Sequence, residues 1–325
     1  MQPLVSIITV YYNRKEYINE SIQSLLDQTY ENIEILIVDD GSSDGTLNIL
    51  NRFSDNRIRI ISHENMGFVR SIKKAIDMSK GEYIAIHGSG DISHANRIER
   101  QLDFLVKNLD VGVVSNFAYQ MTVDGNRKRL IKNNFVSQNY IEQLLDKSIL
   151  IHGSAMFRKD IYYKAGGYRE FFKFGQDRDL WLRMCEVTKP YVLPEILYTM
   201  YILPGSVSDD FDKRIMQLFF QSVSNQCVKQ RRKSGNDIVY QYGFYAPFFR
   251  KRDKVLALKF ARASIVELSR NNYVNAIKAL EYSKNEKNTL IVTILLFILK
   301  IGETNNYIKN FVISIAKTLR RKRIY

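Results

Sequence analysis

Apolar residues follow two alternating rhythms through the first hundred positions of this chain. Short, nearly continuous apolar runs at 4–10, 33–38, 58–61 and 83–86 have the length of buried strands. Between them apolar side chains recur at helical spacing: Tyr17, Ile18, Ile22, Leu25 and Leu26, then Leu47, Leu50 and Phe53, then the segment 67–78. Strands alternating with helices in this way predict a parallel, doubly wound α/β sheet flanked by helices. Ser93 is placed to cap a helix carrying Ile98, Leu102 and Leu105. A further strand is expected over 111–121, with Asp124-Gly125-Asn126 as a hairpin turn into a strand over 128–131.

From about residue 209 the pattern becomes helical, with long periodic segments at 215–228, 255–268 and 274–282. The last two predict a helical hairpin. Residues 290–299 are apolar except for Thr293, a run too short for the roughly twenty residues of a bilayer span. Ile308, Phe311, Val312, Ile315 and Leu319 then form one helix face, opposite Lys309, Lys317, Arg320 and Arg321. Such a helix either lies on anionic lipid or docks against other helices. The expected division is an α/β domain over 1–208 and a basic helical region over 209–325, with a tail in peripheral contact with an anionic membrane.

Composition sharpens that division. Of 325 residues, 45% are hydrophobic and 25% charged, which suits a globular protein with a sizeable core. Residues 1–205 hold 25 Lys and Arg against 25 Asp and Glu, whereas 206–325 hold 23 against 9, so the whole net charge of +14 lies in the second part. Nucleic acid is not an expected partner, because no recognisable nucleic-acid module accompanies the charge. Self-association is left open. Cys185 and Cys227 lack the numbers for a disulfide framework and the spacing of a metal site, which fits a reducing compartment. The chain opens on a strand without the leader pattern of a secreted protein, so a cytoplasmic setting is expected.

The most informative stretch is 35–46, where an apolar run ends on Asp39 and Asp40 and Gly41-Ser42-Ser43-Asp44-Gly45 turn into a helix. Ligands of open α/β sheets sit beyond the carboxyl ends of such strands. An Asp there can accept from a pyrimidine imide or a ribose hydroxyl, and small residues let a ligand approach the backbone. The other reading is an Asp-rich turn that only caps a helix.

Three ordered blocks settle which reading to pursue. Val5-Ser6-Ile7-Ile8-Thr9-Val10-Tyr11-Tyr12-Asn13-Arg14, Val38-Asp39-Asp40-Gly41-Ser42-Ser43-Asp44-Gly45-Thr46 and Gly175-Gln176-Asp177-Arg178-Asp179-Leu180-Trp181-Leu182-Arg183 together resemble the GT-A glycosyltransferases of family 2. The resemblance covers about residues 3 to 208 and implies transfer of a sugar from a nucleotide-diphosphate donor, with UDP favoured, with inversion at the anomeric carbon. It implies that Asp39 binds the base, that Thr9, Tyr12 and Asn13 line the nucleotide pocket, that Gly41 admits the donor, and that Arg70 meets its diphosphate. Asp177 would be the general base acting on the acceptor hydroxyl. His152, Gln176 and Trp181 would border the acceptor or donor sugar, although Trp181 also reads as core and Asp179 as helix N-terminal charge.

Two departures stand out. Where the family usually carries Asp-x-Asp after its fourth strand to hold Mg²⁺ or Mn²⁺, this chain has His87-Gly88-Ser89-Gly90-Asp91, leaving Asp91 as the one expected metal ligand. One or two carboxylates plus phosphate oxygens can suffice for Mg²⁺, and His87 could assist a softer ion. Before Pro204-Gly205-Ser206, Tyr201 and Leu203 stand where many relatives have Arg and His. The resemblance therefore implies an inverting, metal-assisted transferase working on a glycan or lipid-linked glycan at the inner face of a bacterial membrane, in surface-polysaccharide synthesis. The rivals are a non-catalytic nucleotide-sugar binder that has lost its metal site and, more distantly, a nucleotidyltransferase, for which the first loop lacks the Gly-rich basic pattern.

Overall fold

The computed structural model describes residues 2–203 and 210–322, which fall into two compact units divided between those ranges. The first unit is built on one nine-stranded sheet. Its strands are β1 (Val5–Tyr11), β2 (Ile33–Asp40), β3 (Ile58–His63), β4 (Tyr83–His87), β5 (Ile92–Ser93), β6 (Val111–Thr122), β7 (Lys128–Ile131), β8 (Met156–Arg158) and β9 (Lys189–Ile202). Interleaved are α1 (Ile18–Leu26), α2 (Thr46–Leu50), α3 (Phe68–Met78), α4 (Arg97–Lys107), α5 (Tyr140–Asp146), α6 (Lys159–Lys164) and α7 (Gln176–Met184). The spatial order is β3-β2-β1-β4-β8-β6-β9-β5, with β7 beside β6. The long pairings, β1 with β2 and β4, β2 with β3, and β6 with β9, are parallel. Short antiparallel joins, β8 with β4 and β6 and β5 with β9, complete a mixed sheet.

Every residue of β1 is buried, as expected for a central strand covered on both faces. The chain leaves β1 toward β2 and β3 and then returns to place β4 on the other side, so β1 flanks a topological switch point. Register sets Tyr11 beside Asp39 and Thr9 beside His87, which brings the carboxyl ends of three strands level. A crevice for ligand opens at such a point.

Two local expectations are corrected. Ser93 does not cap α4; it pairs with Tyr198 in β5, Asn96 precedes the helix without a side-chain cap, and Gln28 Oε1 accepts from the Ile98 N–H at 3.2 Å instead. Phe53 lies beyond α2, which ends at Leu50, and packs against the core from the following turn. The longest strand, β9, had no apolar rhythm to announce it. Pro190 and Pro194 interrupt its pattern, and the pairing with β6 skips from Leu193 to Ile196 as a bulge.

The second unit is helical: α8 (Phe211–Ser234), α9 (Ile238–Tyr242), a 3-10 segment over Gly243–Phe249, α10 (Lys254–Ser269), α11 (Tyr273–Glu286), α12 (Leu290–Thr304) and α13 (Asn306–Lys322). The expected hairpin is α10–α11, tied by Ser283 Oγ to the Ala257 carbonyl at 2.8 Å. Leu268, Tyr273, Ala276, Ile277 and Leu280 share a core with Val292, Leu296 and Leu299 of α12 and Ala316 of α13. This divides the apolar face expected of the tail: Val312 and Ile313 pack on the core with Ala316, while Phe311 and Ile315 point to solvent. Thus α13 is a packed helix of its unit rather than a free appendage. Arg323 lies outside the described residues. No described helix is long and apolar enough to cross a membrane.

Candidate functional site

The ends of β1 and β2 are laced together through Asn13. It adopts φ +52°, its N–H donates to Ser42 Oγ at 3.0 Å, and its Oδ1 accepts from the Ser43 N–H at 2.9 Å. The Arg14 N–H donates to Thr46 Oγ1 at 2.9 Å, extending the lacing to α2. Gly41 adopts φ +72°, and a Cβ there would stand 2.5 Å from the Asn65 nitrogen, so the loop tolerates no side chain at that position. Tyr12, half exposed, stands at the rim.

The paired carboxylates divide their work. Asp40 accepts from the Met66 N–H at 2.9 Å and the Gly67 N–H at 3.1 Å, holding the turn into α3. Among the described residues Asp39, 1% exposed, receives only Ser62 Oγ at 3.3 Å on Oδ2, and its buried Oδ1 has no partner. Thr9 Oγ1 is likewise buried and has no hydrogen-bond partner among the described residues. An unpaired buried carboxylate oxygen is costly unless a ligand supplies a donor.

At the end of β4, His87 is a core residue. Its Nε2 accepts from Ser21 Oγ at 2.9 Å, while Ser21 in turn accepts from Tyr11 Oη at 3.1 Å and the Gly90 N–H at 3.2 Å. Burial pushes His87 well below the usual imidazole range, so it is neutral. Asp91 accepts from Tyr198 Oη on Oδ2 and from the Tyr201 N–H on Oδ1, both at 2.9 Å. Burial raises its pKa to about 7 against the pull of those bonds and of the Arg97 and Arg14 charges. Tyr198 Oη also accepts from the Gly88 N–H at 2.8 Å. A Cβ on Gly88 would overlap the Asp91 carboxylate, and one on Gly153 would come 2.8 Å from Tyr198 Oη. Gly90, at φ +94°, would bring a Cβ 2.9 Å from Tyr17 Cβ, so at both Gly88 and Gly90, where carboxylates were expected, this packing leaves no room for a side chain.

Among the described residues no group of three His, Cys, Asp or Glu could hold a metal. Each Asp91 oxygen keeps a lone pair beyond its one hydrogen bond, and a carboxyl raised to about 7 by burial gains from a neighbouring cation. The residues present thus fit an ion carried largely by a phosphate ligand, with Asp91 as one oxygen donor.

On the other side of the crevice, Gly175 at φ +66° opens α7, whose first turn carries Gln176 and Asp177, both partly accessible. His152 Nε2 lies 2.7 Å from Tyr168 Oη, with its ring edge-on to Phe68. Burial lowers its pKa, and the Asp177 charge, close enough to be felt, opposes that. Trp181 is buried behind His152, ring centroids 6.2 Å apart, so it backs the histidine rather than facing an acceptor. Asp179 does more than cap a helix. It is a buried ion-pair centre for Arg169 and Arg183, and Arg183 extends to the Gly167 carbonyl at 2.7 Å. Arg178 turns away to the Leu145 carbonyl. Arg70 is 54% exposed and paired with Glu170 at 2.8 Å, so a phosphate would have to share or displace that carboxylate. Tyr168, in a Gly166-Gly167-Tyr168 stretch that resembles a family element bordering the acceptor side, was legible, whereas Tyr198, the Tyr201 N–H and Glu170 were missed from the sequence. Tyr198 is an aromatic position within an apolar stretch, where nothing local distinguishes a hydroxyl that ligates from one that packs. The segment 204–208 lies outside the described residues.

Residues 6–166 match the model of Glycosyl transferase family 2. An uncharacterised glycosyltransferase of Rickettsia typhi is 35% identical over 60% of this chain and 63% of its own length, so the match spans under two thirds of that relative. EpsE of Bacillus subtilis, described as a glycosyltransferase, is 31% identical over 73% of this chain and 86% of its own length. Two solved structures share the fold. The Pyrobaculum calidifontis mannosyltransferase PcManGT, in complex with GDP-Man and Mn²⁺, has a TM-score of 0.55 at 17% identity, covering 98% of this chain and 87% of its own. Residues 1–349 of TarS from S. aureus, in complex with UDP-GlcNAc, give 0.58 at 16% identity, covering 98% and 91%.

Proposed function

The chain belongs to glycosyl transferase family 2, and from that premise we propose that it transfers a sugar from a nucleotide-diphosphate donor to an acceptor hydroxyl with inversion. The observation that carries this reading is the buried, unpartnered Oδ1 of Asp39 at the switch point, which a base N–H would complete. UDP is the favoured nucleotide, since an imide offers that donor; the TarS complex with UDP-GlcNAc is in keeping with it. Thr9, Tyr12, Asn13 and Gly41 shape the pocket, and Arg70 exchanges its surface ion pair, worth little in water, for diphosphate.

Asp177 takes the proton of the acceptor hydroxyl while its oxygen attacks the anomeric carbon and the bond to the diphosphate breaks. The nucleoside diphosphate leaves on the opposite face. His152, neutral and set by Tyr168, and Gln176 border the same space. Mg²⁺ or Mn²⁺ held by the diphosphate and Asp91 would neutralise charge on the leaving group. The setting that fits the basic second unit is the cytoplasmic face of a membrane, with a lipid-linked glycan as acceptor and surface polysaccharide as product.

The Gly88-Ser89-Gly90-Asp91 stretch in place of the expected Asp-x-Asp favours a second reading, a binder without turnover. A thermal-shift series of nucleoside diphosphates and nucleotide sugars, with and without Mn²⁺, tests both. Saturation at a hundred times Kd stabilises by about 2.7 kcal/mol. Metal-dependent stabilisation by UDP with release of UDP from UDP-sugar supports the transferase; tight binding that ignores EDTA and yields no UDP supports the binder.

A further inference from the structure

The second unit leaves much apolar surface uncovered, and part of it is followed in the chain by cations. The 3-10 segment Gly243–Phe249 presents Phe244, Tyr245, Phe248 and Phe249 to solvent, Phe248 at 85% exposure. In α12, Leu290, Ile294, Phe297 and Ile301 are exposed at i, i+4, i+7 and i+11, while Val292, Leu296 and Leu299 enter the core. A helix that is apolar on both faces needs a second apolar neighbour.

The two surfaces are fastened at one joint. Arg250, next after the aromatic segment, pairs with both Glu286 oxygens, and the Asp253 N–H donates to Glu286 Oε2 at 3.0 Å. Glu286 ends α11, just before α12 begins at Leu290. Lys251, Arg252, Lys254 and Lys287 flank this joint in the chain, and none forms an ion pair among the described residues. The neighbouring Lys254 ammonium lowers the Lys287 pKa. Like charges held together beside uncovered aromatic and aliphatic side chains call for a counter-surface both anionic and apolar.

We propose that this joint is a docking surface for anionic lipid. Phe248, Phe249, Leu290 and Ile291 enter the boundary of the acyl chains, and Lys251, Arg252, Lys254 and Lys287 sit at the level of the phosphates. The assignment rests on the reading that the acceptor is lipid-linked, and it moves the attachment from α13 to the start of α12. A second copy is a poorer occupant, because a twofold contact would gather two copies of the same cation excess in one interface. Single-stranded nucleic acid would stack on the aromatic rings but leave the aliphatic stripe wet.

The test is sedimentation of the full chain with phosphatidylcholine vesicles, with and without phosphatidylglycerol, at low and high salt. UDP binding is measured on the same samples. Wild type is expected on the phosphatidylglycerol vesicles. Lys251→Ala with Arg252→Ala should weaken binding roughly thirtyfold at low salt, and less at high salt. Phe248→Ser with Leu290→Ser should weaken it about tenfold or more at either salt, with melting temperatures unchanged because all four side chains are exposed. The proposal is overturned if wild type ignores anionic vesicles or if these variants bind like wild type. It is equally overturned if only Phe311→Ser with Ile315→Ser on α13 detaches, or if Phe248→Ser splits a wild-type dimer. UDP binding without vesicle binding removes this surface and leaves the transferase; vesicle binding without UDP binding does the reverse.

Discussion

Asp39 allows a test in which stability and binding move in opposite directions. In the free protein its Oδ1 is buried without a donor, and Ser62 Oγ reaches Oδ2 only at 3.3 Å. A buried polar atom left unpaired costs about 1–3 kcal/mol. Asp39→Asn keeps the shape and still accepts from Ser62; it sets an amide N–H where Oδ1 stood, but a buried neutral group costs less than a buried charge. The free variant should therefore gain about 1 kcal/mol, or about 2–4 °C in melting temperature for a unit of this size. The nucleotide complex should lose a charge-assisted hydrogen bond worth about 1.5–3 kcal/mol, roughly ten- to hundredfold in Kd. Thermal melts without ligand and calorimetric titration with UDP measure the two effects separately. A variant that melts lower than wild type yet binds UDP equally well would show that the carboxylate serves the fold, and the base-binding assignment would fall.

Asp177→Asn should lower transfer about 10²–10⁴-fold while leaving UDP affinity nearly unchanged; turnover within a few-fold of wild type removes Asp177 as the base. The Asp91 carboxyl is raised from 3.8 to about 7, so across that interval the folded state holds a proton the unfolded chain has released. Stability should therefore fall as pH rises through the window, and Asp91→Asn should flatten the melting profile there. Equal slopes for variant and wild type would refute the shift. Gly88→Ala drives a Cβ into the Asp91 carboxylate and within 3.4 Å of Tyr198 Oη, an overpacking expected to cost about 1–3 kcal/mol; an unchanged melt would mean that the contact yields freely. Arg70→Ala should leave the melting temperature nearly unchanged, since an exposed pair is worth about 0–1 kcal/mol, but weaken UDP binding; unchanged affinity takes Arg70 out of the site.

Local pattern made part of this protein readable before its fold was known. Buried parallel strands must be apolar on both faces, so 33–38 ended legibly on Asp39, and β1, β2 and β4 could be read with the crevice at their ends. The blocks that hold Asn13 and Asp177 were legible only through their resemblance to family 2 glycosyltransferases, since no periodicity marks a general base or a nucleotide contact. Tertiary structure alone decided which of two adjacent carboxylates keeps a free oxygen, because the donors that satisfy Asp40 come from Met66 and Gly67, outside its own strand and turn. It also decided that Asp91 is held by Tyr198 and Tyr201 from a strand more than a hundred residues away, broken by prolines and invisible to periodicity. In the second unit, α12 is apolar all round and α13 amphipathic. Periodicity records that a face is apolar but not what covers it, and contacts with α10 and α11 chose which side of each helix is buried and which is left to solvent.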